Sequence, residues 1–344
     1  MAEEFLHLSA ADQRDALGVA SGASGRPVHL LEKDVWVVWA LEKMFASKYG
    51  PQLIFKGGTS LSKAYGAIRR FSEDIDLTYD IRAIAPDLVA GIADALPPTK
   101  SQGKKWSGEI KDRLSTWVER DALPIIGSAI SLASLRAHPH IKGDKLYIDY
   151  EPLARGTGYV PPIVVLEFGA RSTGEPHEVR GVVCDAAAHL PELTFPSAHP
   201  QVMRVERTFW EKATAMHVFC RKGYYRGEDA KGFSRHWHDV VRLDESGYAE
   251  RAIADRNIAQ KVAEHKAVFF AERDAAGSTI DYEYAVNGGI RLVPEGDALK
   301  VLAEDYRAMV GDGLLFVDTE SFEALIERCR QIEQRANSVR KTQK

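Results

Sequence analysis

Asp74 and Asp76 stand either side of Ile75 in the stretch Arg70-Phe71-Ser72-Glu73-Asp74-Ile75-Asp76-Leu77. The acids alternate with Ile75 and Leu77 at a period of two. That spacing predicts a strand with both carboxylates on one face and apolar side chains on the other. Like charges so placed repel, and a sequence tolerates them where a cation lies between them or one stays protonated. Oxygen-only donors suit Mg2+, which is held by one or two carboxylates together with substrate phosphates. Upstream, the apolar run Leu53-Ile54-Phe55 leads into Lys56-Gly57-Gly58-Thr59-Ser60. Glycines let a backbone approach a phosphate closely, and the N–H groups and hydroxyls that follow can donate to it. A short segment with Leu61, Tyr65 and Ile68 at helical spacing joins the two parts. Phosphate cradle, short helix and acidic pair are in the order that nucleotidyl transfer needs.

These residues carry a resemblance. A hydrophobic-Gly-Gly turn, a spacer and Asp-hydrophobic-Asp resemble the signature of the polymerase β-type nucleotidyltransferases. The fuller form, KGGTSLSK followed by RFSEDIDL, resembles the narrower AbiEii/AbiGii toxin family, which includes the MenT toxins. A second stretch strengthens the likeness. Glu211 and Lys212 lie in a helical segment, and Arg235, His236 and Asp239 form the Arg-His-x-x-Asp of the next one.

The resemblance implies an α+β fold: a polymerase β-like domain over residues 1–195, with a mixed sheet and flanking helices, and a mainly helical domain over 196–344. The two would form a cleft to which Lys212 and Asp239 contribute. It implies Asp74 and Asp76 as metal ligands for Mg2+ (or Mn2+), and an NTP as substrate. Lys56, Gly57, Gly58, Thr59, Ser60, Ser72 and Lys212 would contact the nucleotide. Asp239 would complete the constellation. Polymerase β-like sites take a third carboxylate from a neighbouring strand; Glu167 is the candidate and Asp149 its rival. Glu167 or Asp239 would orient the acceptor hydroxyl. The implied acceptor is the 3′ end of tRNA, whose modification would block translation, and the implied partner is a cognate antitoxin encoded next door. Ser72, two residues before Asp74, stands where a phosphoryl group would set its charge against the acids. Two other classes stay open: an enzyme that modifies a protein or small molecule, and a non-catalytic nucleotide-binding toxin.

The elements that must hold these residues are partly legible. At 344 residues, the chain suggests two domains or one elaborated domain. With 45% hydrophobic and 27% charged residues it reads as globular. No apolar run approaches membrane-spanning length. The N-terminal stretch lacks the basic-then-apolar layout of a signal peptide. Cys184, Cys220 and Cys329 are scattered, as expected of reduced thiols in a cytoplasmic protein. A net charge of −4 argues against a generally basic nucleic-acid coat.

Helices are expected over 3–20 and 29–48, the second with Leu31, Val35, Val38, Leu41 and Phe45 as its apolar stripe and Glu32, Lys33 and Asp34 on a solvated face. Further helices are expected over 83–96 and 99–121, an apolar helix or turn over 123–136, and strands over 145–150, 162–169 and 179–185. In the second of these strands Glu167 interrupts an apolar run, a costly place unless it is paired or metal-bound. Arg171 would either neutralise it or hold triphosphate. After Leu193-Thr194-Phe195-Pro196 helices dominate: 203–221, 233–243, 249–274, 297–310 and 319–338. Residues 281–289 read as a hairpin or an active-site loop. Between 204 and 242, nine Lys and Arg face five acids. The basic tail, six Lys and Arg against two Glu over 327–344, would either grip RNA backbone or simply solubilise.

Overall fold

A computed structural model describes residues 3–72, 74–154, 156, 160–223, 231–311, 315 and 319–338. Gly223 and Gly227 bracket a stretch whose sequence reads as a loop; it and the end of the basic tail fall largely outside the described residues. The chain forms two compact units. The first comprises Met1–Ala64, Glu73–Leu88 and Gly108–Val202; the second comprises Tyr65–Ser72, Val89–Ser107 and Met203–Lys344.

The first unit opens with helix α1 (Ala10–Ser24). Ser9 caps it by accepting from the Asp12 N–H, and Gly25, at φ 74°, ends it. Helix α2 (Val28–Phe45) follows, then strand β1 (Leu53–Lys56), helix α3 (Gly57–Lys63) and strand β2 (Asp74–Tyr79). The helix expected over 83–96 is only two short turns, Ile81–Ile84 and Pro86–Val89. Pro86 disfavours helical backbone at Ala85 and so divides the segment. Helix α4 (Lys100–Trp117) leads through a π-turn at Val118–Ala122 into α5 (Leu123–Leu132). Strands β3 (Ala137–Lys142), β4 (Lys145–Tyr150), β5 (Ile163–Gly169), β6 (His177–Val179) and β7 (Gln201–Met203) complete a seven-stranded mixed sheet of order β3-β4-β5-β2-β1-β7-β6. Strand β3 was missing from the sequence reading. It pairs with β4 through a two-residue turn in which Gly143 sits at φ 68°.

One face of the sheet is closed. Ile75, Leu77, Leu146, Ile148, Leu166 and Phe168 are buried on it. Trp36 of α2 stacks on Tyr150, and Trp117 of α4 meets Phe168 edge-on and packs against Tyr79. On the other face Asp74, Asp76, Tyr147, Val165 and Glu167 are only partly covered. Strand β5 is therefore not buried on both faces as its apolar run suggested; its residues alternate between covered and open.

Helix α2 corrects a second expectation. Residues 31–41 are buried all round, and Glu32, Lys33 and Asp34 are not solvated. Each holds a piece of irregular chain. Glu32 accepts from the Leu153 N–H with both oxygens, at 2.9 and 3.0 Å. Burial pushes Glu32 up to about 7, against the pull of the Leu153 and Ala154 N–H groups. Lys33, 1% exposed, donates to the Pro161 carbonyl at 3.0 Å. Asp34 accepts from the Asp185 N–H and pairs with Lys63 of α3 at 2.6 Å. Lys63 also pairs with Asp185 at 2.7 Å. Burial works against the Lys63 charge, but Asp34 and Asp185 overcome it and raise its pKa. The last residue of α3 is thus bolted to α2.

The second unit is built from helices α6 (Val205–Lys222), α7 (Ser234–Glu245), α8 (Tyr248–Ala254), α9 (Arg256–Phe269), α10 (Gly296–Gly311) and α11 (Phe322–Ser338). Buried indoles pin them: Trp210 donates to the Ala252 carbonyl and Trp237 to that of Leu292. Asp305 of α10 accepts from the Gly232 and Ser234 N–H groups, supplying negative charge to the start of α7. Residues 281–289, read as a hairpin or loop, form a helical turn and a π-turn. Among the described residues no helix is long and apolar enough to cross a membrane.

Replacing Lys63 by Ala leaves the buried Asp34 carboxylate without its cation, while Asp185 keeps only Arg26. Breaking a buried pair in this way is expected to cost about 3 kcal/mol or more. Urea unfolding followed by circular dichroism measures it, and a loss under about 1 kcal/mol would contradict the bolted arrangement.

Candidate active site

In the first unit the register of the sheet assembles the acids. Asp76 on β2 lies opposite Lys56 on β1 and opposite Glu167 on β5. Glu167 lies opposite Lys145 on β4 and touches it. Directly opposed residues share a face, so Lys56, Asp76, Glu167 and Lys145 form one row across four strands. Asp74 lies two residues along on the same face. Three carboxylates thus share the open side, although among the described residues no three acids, histidines or cysteines stand close enough together to enclose a metal ion as they are. Glu167 keeps 36% of its side chain exposed and Lys145 keeps 40%. The hydrogen bond to Glu167 raises the Lys145 pKa.

Of the two candidates for third carboxylate, Glu167 has the position opposite Asp76. Asp149 lies opposite Ile163 and is 3.1 Å from His140. Lys145 itself was not singled out from the sequence. The alternation of Lys145, Tyr147 and Asp149 was visible, but the register that sets Lys145 beside Glu167 was not.

The glycine turn meets the acids directly. Gly57 starts α3 at φ 78°, and a Cβ there would lie 2.0 Å from Asp76 Oδ2. Backbone and carboxylate are therefore as close as an absent side chain permits. Thr59 and Ser60 are buried. The Thr59 hydroxyl donates to the Asp74 carbonyl, and the Ser60 hydroxyl donates to that of Gly57. The turn thus fixes the acidic strand as well as offering its own backbone, and Gly58 is buried beside them.

A second cluster forms within the second unit. Arg70 clamps Asp239 with two bonds, Nε to Oδ1 at 2.7 Å and Nη2 to Oδ2 at 2.9 Å. Lys212 of α6 reaches Asp239 Oδ2 at 2.9 Å, and His238 Nδ1 lies 3.3 Å from Oδ1. Asp239 is fully buried, Arg70 4% exposed and Lys212 8%. Burial alone would raise the Asp239 pKa, but Arg70 and Lys212 hold it well below the usual carboxylate range. Burial, then the charge of Lys212, pushes His236 down to about 3. Asp239 therefore pairs with Arg70 and Lys212, not with its helical neighbour Arg235, and Lys212 is not a solvated surface lysine. Ser72, two residues after Arg70, is half-buried.

A family model described as the nucleotidyl transferase AbiEii toxin of type IV toxin–antitoxin systems matches residues 39–328. This chain belongs to that family. Among solved structures, the MenT4 nucleotidyltransferase toxin of Mycobacterium tuberculosis H37Rv is similar at 18% identity. The alignment covers 97% of this chain and 99% of that one, with a TM-score of 0.34. No curated protein sequence matches.

In this AbiEii chain, both motif stretches have a structural explanation. The Arg of RFSEDIDL and the Asp of Arg-His-x-x-Asp are the two halves of one buried ion pair. The sequence shows no role for Arg70, because a partner 169 residues away leaves no periodic signal.

Two outcomes test these assignments. Gly57→Ala adds left-handed strain of about 1–2 kcal/mol and drives a methyl into Asp76; Gly247→Ala, at φ 73° in open space, adds strain alone. Thermal unfolding should show a loss for both, and nucleotidyl transfer should collapse only in the first. Asp239→Asn leaves Arg70 and Lys212 buried without their counter-charge. Urea unfolding should then show a loss of about 3–5 kcal/mol; unchanged stability would mean that Asp239 has no structural part.

Proposed function

We propose that this toxin transfers NMP from an NTP to the 3′ end of tRNA with Mg2+ (or Mn2+), and so blocks translation. One observation carries the reading: Asp74, Asp76 and Glu167 share the open face of the sheet, with the Gly57 backbone against Asp76. The donor set fits the metal, because all three groups are hard oxygen ligands and none is sealed in the core. Asp74, Asp76 and Glu167 would hold the ions, which supply charge stabilisation to the attacking and leaving oxygens.

The chain's own residues do the rest. Gly57 and Gly58 let the backbone come close to phosphate. Thr59 and Ser60 keep the turn and the acidic strand in register. Lys56 adds positive charge at the end of the row. Lys145 restrains Glu167 until an acceptor hydroxyl is to be oriented. Lys212, held by Asp239 at 2.9 Å, would offer positive charge to the triphosphate, and Asp239, fully buried, would hold Lys212 rather than touch the acceptor. Residues 1–195 would carry the acids and residues 196–344 would supply Lys212 and Asp239. The cognate antitoxin would be encoded beside the toxin, and the work would be done in the cytoplasm.

The test is purified protein with Mg2+, each α-labelled NTP in turn and total tRNA. Label should appear on tRNA with one or a few nucleotides. Asp74→Ala should lower it by about a hundredfold or more. Chelation should abolish it. Label on protein instead of RNA would replace the proposed acceptor.

A further inference from the structure

The open face carries more than acids. Two cross-strand rows run side by side toward the sheet edge at β3. From Asp74 the row passes Val165 on β5, Tyr147 on β4 and His140 on β3. From Asp76 it passes Glu167, Lys145 and Lys142. The first row is aromatic at its outer end. His140 and Tyr147 stack with ring centroids 5.1 Å apart and planes 13° apart. His138, two residues along on the same face, stacks on His140 at 6.3 Å and 17°. The second row ends in two lysines. His138, His140 and Lys142 are exposed, and Tyr147 and Lys145 are partly so.

Edge protection explains some of this strand. Pro139 lacks a donor and Lys142 adds charge at the rim. Neither requires three parallel rings on the face. Glu167 is paired by Lys145 and Asp149 lies against His140, and Lys142 stands exposed at the outer end of the second row, beside Asp144 of the turn. Exposed rings beside a line of cations are what single-stranded nucleic acid binds: bases stack on the rings and the backbone follows the charge. The spacing agrees. Neighbouring strands lie about 4.8 Å apart, which sets Tyr147 about 10 Å and His140 about 14 Å from Asp74. Such distances suit successive nucleotides leading up to a reacting terminus.

We propose that this surface holds the last two nucleotides of a single-stranded nucleic-acid acceptor. The terminal base packs against Tyr147 and the one before it against His140. The phosphates lie beside Lys145 and Lys142, so that the 3′ hydroxyl points at Asp74 and Asp76. The direction of the strand rests on the transfer reaction proposed above; the binding surface does not.

The experiment is fluorescence anisotropy with a short, unstructured, 5′-labelled RNA bearing a free 3′ hydroxyl, beside NTP binding by calorimetry. Tyr147→Ala and His140→Ala should each weaken RNA binding by about tenfold and leave NTP affinity unchanged. Tyr147→Phe and His140→Tyr, which keep a ring, should bind RNA as the parent does. Thermal unfolding of each variant guards against loss of fold. Failure of the parent protein to bind the RNA, or equal binding by the Ala variants, would overturn the proposal. So would a loss in NTP affinity alone, which would make the rings a seat for the incoming base. Loss of RNA binding in the Ala variants, with no label ever transferred to tRNA, would uphold the surface and remove the reaction assigned to it.

Discussion

A buried carboxylate with two cations around it is stable only as a set. Asp239 is fully enclosed, and its charge is maintained because Arg70 meets it with two bonds and Lys212 with a third. Removing any one leaves an uncompensated charge in a poorly solvated place. That requirement accounts for residues that otherwise look unrelated. It fixes the side chain of Lys212 on α6, the position of α7 and the path of the chain at Arg70. Arg70 lies four residues before Asp74 in the sequence, so the residue that closes this set belongs to the same short stretch that supplies Asp74 and Asp76.

The acidic strand follows a different rule. Its charges stay on an open face and are balanced by position. Lys56 and Lys145 lie at the two ends of a row whose middle is Asp76 and Glu167. Buried charge in α2 is handled a third way, with Glu32 and Lys33 spent on backbone groups of loops that form no ladder. Unsatisfied backbone in such loops would be expensive, and a charged side chain from a rigid helix meets the need.

These differences explain what the sequence disclosed. The period of two at Asp74 and Asp76, the stripe of α2 and the helix that becomes α6 follow from local geometry, and they were legible. The Glu167 strand was located correctly, yet its apolar run hid the fact that one face is open. A burial pattern depends on what covers the sheet, and no single strand records that. The polar residues of α2 looked solvated because their partners, Leu153, Pro161 and Asp185, are more than a hundred residues away. Strand β3 was overlooked because its Pro139 and two histidines are poor strand signals, although a rim strand tolerates them. The break at Pro86 was visible in the sequence and was overridden by the apolar spacing around it.

Pro139 has one more consequence. A sheet with a bare rim can recruit a strand from a neighbouring molecule, and growth of that kind ends in insoluble fibres. At this rim the incoming strand meets a residue with no hydrogen to give, followed three places later by the exposed charge of Lys142. Templated growth along this border is disfavoured at its first step. The rim at β3 can therefore stay bare without adding a strand from another copy of the protein.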